Sequence, residues 1–176
     1  MLIIILIIIL IIYFCNQKKL IIKNKLERTN NINLGSIKSL FFETPVVIKN
    51  ISKIGIENDE IGKTKLASNY NLAPNIYSDK RKNILISEYL NEKNGWYLLY
   101  DYEKKNGQSK KLNNTICKAI KKLDKINIVH NDLQDINILY NPYKEKLYFI
   151  DFENSKFISD TKINNTNNEF YIKRCE

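Results

Sequence analysis

The run His130-Asn131-Asp132-Leu133-Gln134-Asp135-Ile136-Asn137, followed by Phe149-Ile150-Asp151-Phe152, sets an acid, an amide and a second acid at intervals of five and fourteen residues. It also holds the single histidine of the chain. A carboxylate that can orient a hydroxyl, with hard oxygen ligands for magnesium nearby, is what phosphoryl transfer asks of a protein, because catalysis there is mostly positioning and charge neutralisation. Asp132 supplies the carboxylate, and Asn137 and Asp151 the oxygen ligands. Asn, Ile and Lys are so abundant in this chain that a lone His-x-Asp would mean little. The joint pattern of His, Asp, Leu, Asn, Ile-Leu and a later apolar-apolar-Asp-Phe is hard to reach by composition.

These residues need elements to bring them together. Ile138-Leu139-Tyr140, a turn-like Asn141-Pro142-Tyr143-Lys144-Glu145 and Leu147-Tyr148-Phe149-Ile150 predict a β-hairpin, which returns Asn137 and Asp151 to one place. Upstream, Ile116, Ile120 and Leu123 share one face of a helix over Leu112 to Ile126, with Lys118, Lys121, Lys122 and Lys125 turned away and Asn113 or Asn114 as its cap. This helix feeds Asn127-Ile128-Val129 into His130, which we read as a packed, hydrogen-bonding scaffold residue. Val46-Val47-Ile48-Lys49 reads as a β-branched strand ending in a lysine. A helix is predicted from Ile56 to Ser68, ended by Asn71-Leu72-Ala73-Pro74, and Asn83 to Leu90 reads as a buried strand with a polar exit.

In this order the segments resemble the protein-kinase-like superfamily. The resemblance implies an α+β, two-lobed kinase fold, and ATP and Mg2+ as cofactors, with Asp132 and Asn137 in the catalytic loop and Asn137 and Asp151 on the metal. Val46-Val47-Ile48-Lys49 is similar to the family's Val-Ala-Ile-Lys strand, so Lys49 would reach the phosphates and pair with a helix glutamate, Glu60 in preference to Glu57. The backbone from Glu88 to Leu90 would meet the adenine edge as the hinge, and Leu139 would floor that pocket. Of the family's three loop glycines, Leu34 to Phe41 keeps only Gly35, expected to bring backbone amides near the phosphates or to mark a surface turn; Lys38 takes the last position.

The acceptor is expected to be a protein Ser/Thr hydroxyl. Gln134, where Ser/Thr kinases carry lysine, and Glu153, where most protein kinases carry glycine, instead resemble choline/ethanolamine and aminoglycoside kinases, whose acceptors are small alcohols. A nucleotide-binding pseudokinase scaffold is the third reading. Only 25 residues follow Asp151, so the C-terminal lobe is expected to be short. The division predicted is 1–15 as a hydrophobic segment, 16–33 as a basic linker, 34–90 as the N-lobe with hinge, and 91–176 as a truncated C-lobe.

Residues 2–15 are uninterrupted apolar, and Lys18, Lys19, Lys23, Lys25 and Arg28 follow. No basic residue precedes the segment and no small-x-small site follows, which argues against a secretory leader. The expectation is an N-terminal hydrophobic helix anchoring the protein in a membrane, its catalytic domain facing the cytoplasm by the distribution of positive charge. Fourteen helical residues nevertheless span only about 21 Å against a bilayer core of roughly 30 Å.

The remaining numbers exclude more than they assign. A chain of 176 residues is one domain with room for a core. The net charge of +9 comes from dispersed lysines without a basic-aromatic constellation, so no specific nucleic acid partner is expected. Cys15, Cys117 and Cys175 have neither metal-ligand spacing nor the even count of a disulfide framework.

Overall fold

The structure is a computed structural model that describes residues 19–25, 31–39, 42–51, 59–77, 83–158 and 174–175. Strands β1 (Lys19–Lys25), β2 (Ile32–Lys38), β3 (Glu43–Asn50) and β4 (Ile84–Glu88) form one antiparallel sheet in that order. The β-branched run in β3 explains its central place, since Val46 and Ile48 point to one face and are buried while Val47 and Lys49 point to the other. Lys19–Lys25, expected within a basic linker, is the edge strand of this sheet.

Gly35 departs from its expected place in a loop or surface turn. It lies inside β2, paired with Ile22 on one side and Val46 on the other. A Cβ there would stand 2.5 Å from the Ile21 carbonyl oxygen and 2.6 Å from Ile48 Cδ1, so close packing of neighbouring strands demands glycine.

Helix α1 (Glu60–Asn69) follows, capped by Asp59, whose carboxylate accepts from the Gly62 N–H at 3.1 Å. It buries Glu60, Ile61, Lys63, Thr64 and Ala67, so two charges face inward where a structural helix would place leucine. The expected start at Ile56 lies outside the described residues.

The main core gathers around helix α3 (Lys110–Lys125), whose Leu112, Ile116, Ala119, Ile120 and Leu123 are buried as the periodicity required. The helix begins two residues before the expected Leu112, and Ser109 caps it by accepting from the Leu112 N–H at 3.1 Å. The shorter α2 (Leu99–Asn106) adds Leu99 to this core. A second sheet, of order β5-β7-β8, joins β5 (Tyr97–Leu98) to the hairpin of β7 (Ile138–Asn141) and β8 (Lys146–Phe149), with Ile138 opposite Phe149. Strands β6 (Ile128–Val129) and β9 (Lys156–Phe157) pair beside it. Each large apolar side chain withdrawn from water here contributes roughly 1.5–3 kcal/mol. The architecture is thus mixed, with three α-helices and antiparallel strands among the described residues.

The membrane expectation is corrected. No helix among the described residues is long and apolar enough to cross a membrane. Residues 2–15 themselves lie outside the described residues. The transmembrane helix, the membrane partner and the cytoplasm-facing anchored localisation therefore have no structural support.

Candidate active site

Strand β3 delivers Lys49 to a group of carboxylates from two distant parts of the chain. Its ammonium donates to Glu60 Oε1 at 2.9 Å, to Asp151 Oδ1 at 2.6 Å and to Glu153 Oε2 at 3.1 Å. Glu60 is the first residue of α1 and fully buried, whereas Asp151 and Glu153 follow β8 on the partly exposed side. Glu57, the other candidate partner, lies outside the described residues.

The electrostatics of the group are asymmetric. Burial pulls the Lys49 pKa down, but the hydrogen bond to Asp151 and the charges of Glu60 and Asp151 outweigh it, so the ammonium is held above its usual range. Burial pushes the Glu60 carboxyl up, Lys49 opposes the shift, and the negative charges of Asp151 and Glu153 reinforce it. Lys49 has three anions to draw on; Glu60 shares one cation with two other carboxylates.

The loop after β6 carries the second part of the site. His130 is fully buried, its Nε2 lies 3.0 Å from the Ile150 carbonyl oxygen, and its ring centroid is 4.8 Å from that of Phe152. A carbonyl can only accept, so Nε2 carries the proton and donates. Burial lowers the His130 pKa, against the pull of that hydrogen bond and of the Asp151 and Asp132 charges. Asn131 takes a left-handed φ of 61° and donates through Nδ2 to the Asn154 carbonyl at 3.0 Å. The Ile150 N–H donates to the Asn137 carbonyl at 3.0 Å. Three bonds thus lock the loop of residues 130–137 onto the segment after β8, and Asp151 leaves that lock with φ 65°.

Both oxygens of Asp132 are held by side-chain amides. Gln134 Nε2 donates to Oδ1 at 2.6 Å and Asn137 Nδ2 to Oδ2 at 3.0 Å, while the same Asn137 nitrogen reaches the Asp132 carbonyl at 2.9 Å. With its nitrogen committed to Asp132, the Asn137 amide has its oxygen left to face a cation.

The other candidate residues lie further along the sheets. Gly35, Val46 and Glu88 form one row across the first sheet, three residues along β3 from Lys49. The Glu88 N–H donates to the Asn75 carbonyl at 2.8 Å and the Tyr89 N–H to the Pro45 carbonyl at 3.1 Å, so those two donors of the expected hinge are already engaged. Leu90 is half-buried, and so is Leu139, which pairs with Leu98 and Tyr148 in the second sheet.

Magnesium usually takes one or two protein carboxylates and fills its shell with water and phosphate oxygens. No group of three or more His, Cys, Asp or Glu side chains is arranged to hold a metal among the described residues. The donor set nonetheless fits a phosphate-borne cation. Asp151 supplies a hard anionic oxygen, Asn137 a neutral one, and three carboxylates share the single Lys49 ammonium. Oε2 of Glu60 is buried and meets no hydrogen-bond donor among the described residues, which is costly for a carboxylate oxygen.

Two further contacts escaped the reading of the sequence. Lys63, fully buried on α1, donates through Nζ to the Ser155 carbonyl and ties α1 to the segment after Asp151. Cys117 and Cys175 form a disulfide across 58 residues, which no local spacing could announce.

A family model described as the RIO domain matches residues 57–172. A search of curated proteins returns no match. Among solved structures, the Cydia pomonella granulovirus kinase PK-1 aligns with a TM-score of 0.55 at 21% identity, over 86% of this chain and 57% of that one. The likeness is one of fold, and the chain spans little more than half of that kinase's length. Together with the segment order from Lys49 to Asp151, the domain match places this chain in the RIO-domain family, within the protein-kinase-like superfamily.

Proposed function

We propose that the protein is an ATP-dependent phosphotransferase that moves the γ-phosphoryl group to an alcohol. The observation that carries this reading is the Lys49 ammonium bonded at once to Glu60 and to Asp151, the latter 102 residues away. A structural ion pair needs one partner; a lysine shared by a helix glutamate and a metal-ligand aspartate suits a phosphate site.

In this reading Lys49, kept charged, meets the nucleotide's phosphate oxygens after exchanging one of its carboxylate partners, while Glu60 keeps the side chain aimed. Asn137 and Asp151 hold Mg2+, which when bound neutralises phosphate charge. Asp132, oriented by Gln134 and Asn137, accepts the hydrogen bond of the acceptor hydroxyl and takes its proton as the new O–P bond forms and the bond to ADP breaks. Each of its oxygens has a second lone pair for this. The backbone from Glu88 to Leu90 lies at the adenine edge, Leu139 beneath it and Gly35 in the strand above. The chain is read as two lobes meeting at residue 90, the first extended to β1.

Protein Ser/Thr hydroxyls are the acceptor we place first. The contact of Gln134 with Asp132 favours a second reading, a small-alcohol acceptor, because it puts a neutral amide where Ser/Thr kinases present a lysine to the transferred phosphate.

ATP with magnesium is expected to raise the melting temperature of the full chain, and Asp151→Ala to abolish the rise. No rise in the unmutated protein ends the nucleotide reading. Radiolabelled ATP offered to proteins, amino-alcohols and aminoglycosides then separates the acceptors; binding without label transfer leaves a nucleotide-binding scaffold.

A further inference from the structure

Asp135 lies between Asp132 and Asn137 and opens the short 3-10 turn Asp135–Asn137 that carries Asn137. Its Oδ1 accepts from Arg174 Nη2 at 2.6 Å. Arg174 is buried, and its guanidinium also makes a two-pronged contact with Glu103 of α2, Nη1 to Oε1 and Nη2 to Oε2, the second at 2.8 Å. The next residue, Cys175, is bonded to Cys117 of α3. Residues 174–175 are therefore held covalently to one helix and ionically to another, and Arg174 also reaches the loop of Asp132.

We infer that Arg174 is a positioning residue for the 132–137 loop, and that the Cys117–Cys175 disulfide holds it in place, making the geometry of Asp132 and Asn137 dependent on thiol oxidation. Three features support this. A bidentate Arg–carboxylate contact fixes orientation as well as distance, so the Glu103 fork sets where the remaining Nη2 bond to Asp135 can point. Removal of the guanidinium would leave the Glu103 carboxylate, its side chain 9% exposed, without this cation, so the cluster is held as a unit. The disulfide acts on the neighbouring residue: Cys175 follows Arg174 directly, so its bond to Cys117 limits where the guanidinium can lie.

Reduction follows ordinary exchange. A dithiol attacks through its thiolate, the Cys117–Cys175 bond breaks, a new disulfide closes in the reductant, and two electrons and two protons end on the cysteine thiols. The dithiol is the only co-reactant needed.

The test is hydrogen exchange on the full-length oxidised protein, compared with protein treated with dithiothreitol and with the variants Cys117→Ser/Cys175→Ser, Arg174→Ala and Arg174→Lys. The peptide spanning residues 131–137 is expected to exchange on the order of tenfold faster after reduction, in the double-serine variant and in Arg174→Ala, with the core of α3 over residues 116–123 unchanged. Arg174→Lys keeps the charge without the fork and is expected to fall between, which guards against an alanine variant that does not fold. Unchanged exchange over 131–137 in the reduced and Arg174→Lys proteins overturns the inference, as does acceleration spread equally through α3.

The consequence for turnover rests on the phosphotransfer reading above. There, reduction is expected to lower kcat on the order of tenfold while KM for ATP stays constant, because misplacement of Asp132 acts on the chemical step. Failure of all samples to transfer phosphate would count against that reading alone, since the exchange measurement decides the present one without it.

Discussion

Gln134 Nε2 lies 2.6 Å from Asp132 Oδ1, two residues away in the chain, and with Asn137 it leaves neither carboxylate oxygen of Asp132 without an amide donor. A carboxylate held at both oxygens has one orientation, which is what an acceptor hydroxyl requires. If the proposed phosphotransfer holds, Gln134→Ala is expected to lower kcat on the order of tenfold with little change in nucleotide affinity. Steady-state kinetics beside a direct ATP titration checks this, and a parallel loss in both would mean that Gln134 supports the nucleotide instead.

Lys49 and Glu60 form a pair with its acidic partner fully buried. Lys49→Met strands that carboxylate and is expected to lower stability by about 3 kcal/mol, while Lys49→Met/Glu60→Gln recovers most of the loss. Urea denaturation of the two single variants and the double variant closes the cycle. Additive effects would show that the pair does not act as one unit, and Asp151 and Glu153 would then be the partners that matter.

His130 gives the stability a pH dependence of known sign. Burial lowers its folded pKa below the ordinary value of about 6.5, so the unfolded chain binds the proton more readily. Its contribution is complete above about pH 6.5 and is lost as the pH falls through the folded value. Glu60, raised by burial, works in the opposite direction: its contribution is complete below the unfolded carboxyl value and lost as pH rises through the folded one. Subtracting the stability of His130→Asn from that of the unmutated chain between pH 7 and pH 5 isolates the histidine. The difference is expected to shrink on acidification; a constant difference would show that His130 is not held neutral.

The order of the kinase-like segments was legible because each is a local statement. A β-branched run ending in Lys49, apolar residues at helical spacing from Leu112 to Leu123, and two strands around Asn141-Pro142 each carry their own period, and the described structure repeats them. The Asp132 to Asn137 interval also survives as a contact, because a short turn closes it.

What tertiary structure decided is who meets whom across the chain. Gly35 had the look of a loop glycine, yet its reason is the Ile21 carbonyl and the Ile48 side chain on either side. Lys63 is fully buried against the Ser155 carbonyl, a placement that depends on a segment 92 residues away. Arg174 and Cys175 sit in a polar tail that announces nothing; Glu103, Asp135 and Cys117 give them their places. Periodicity and spacing record which way a side chain points from its own element, so the sequence by itself determined the elements and pointed to the chemistry proposed for Asp132, Asn137 and Asp151. The partner on another element is set by how the elements pack, and that only the fold could supply.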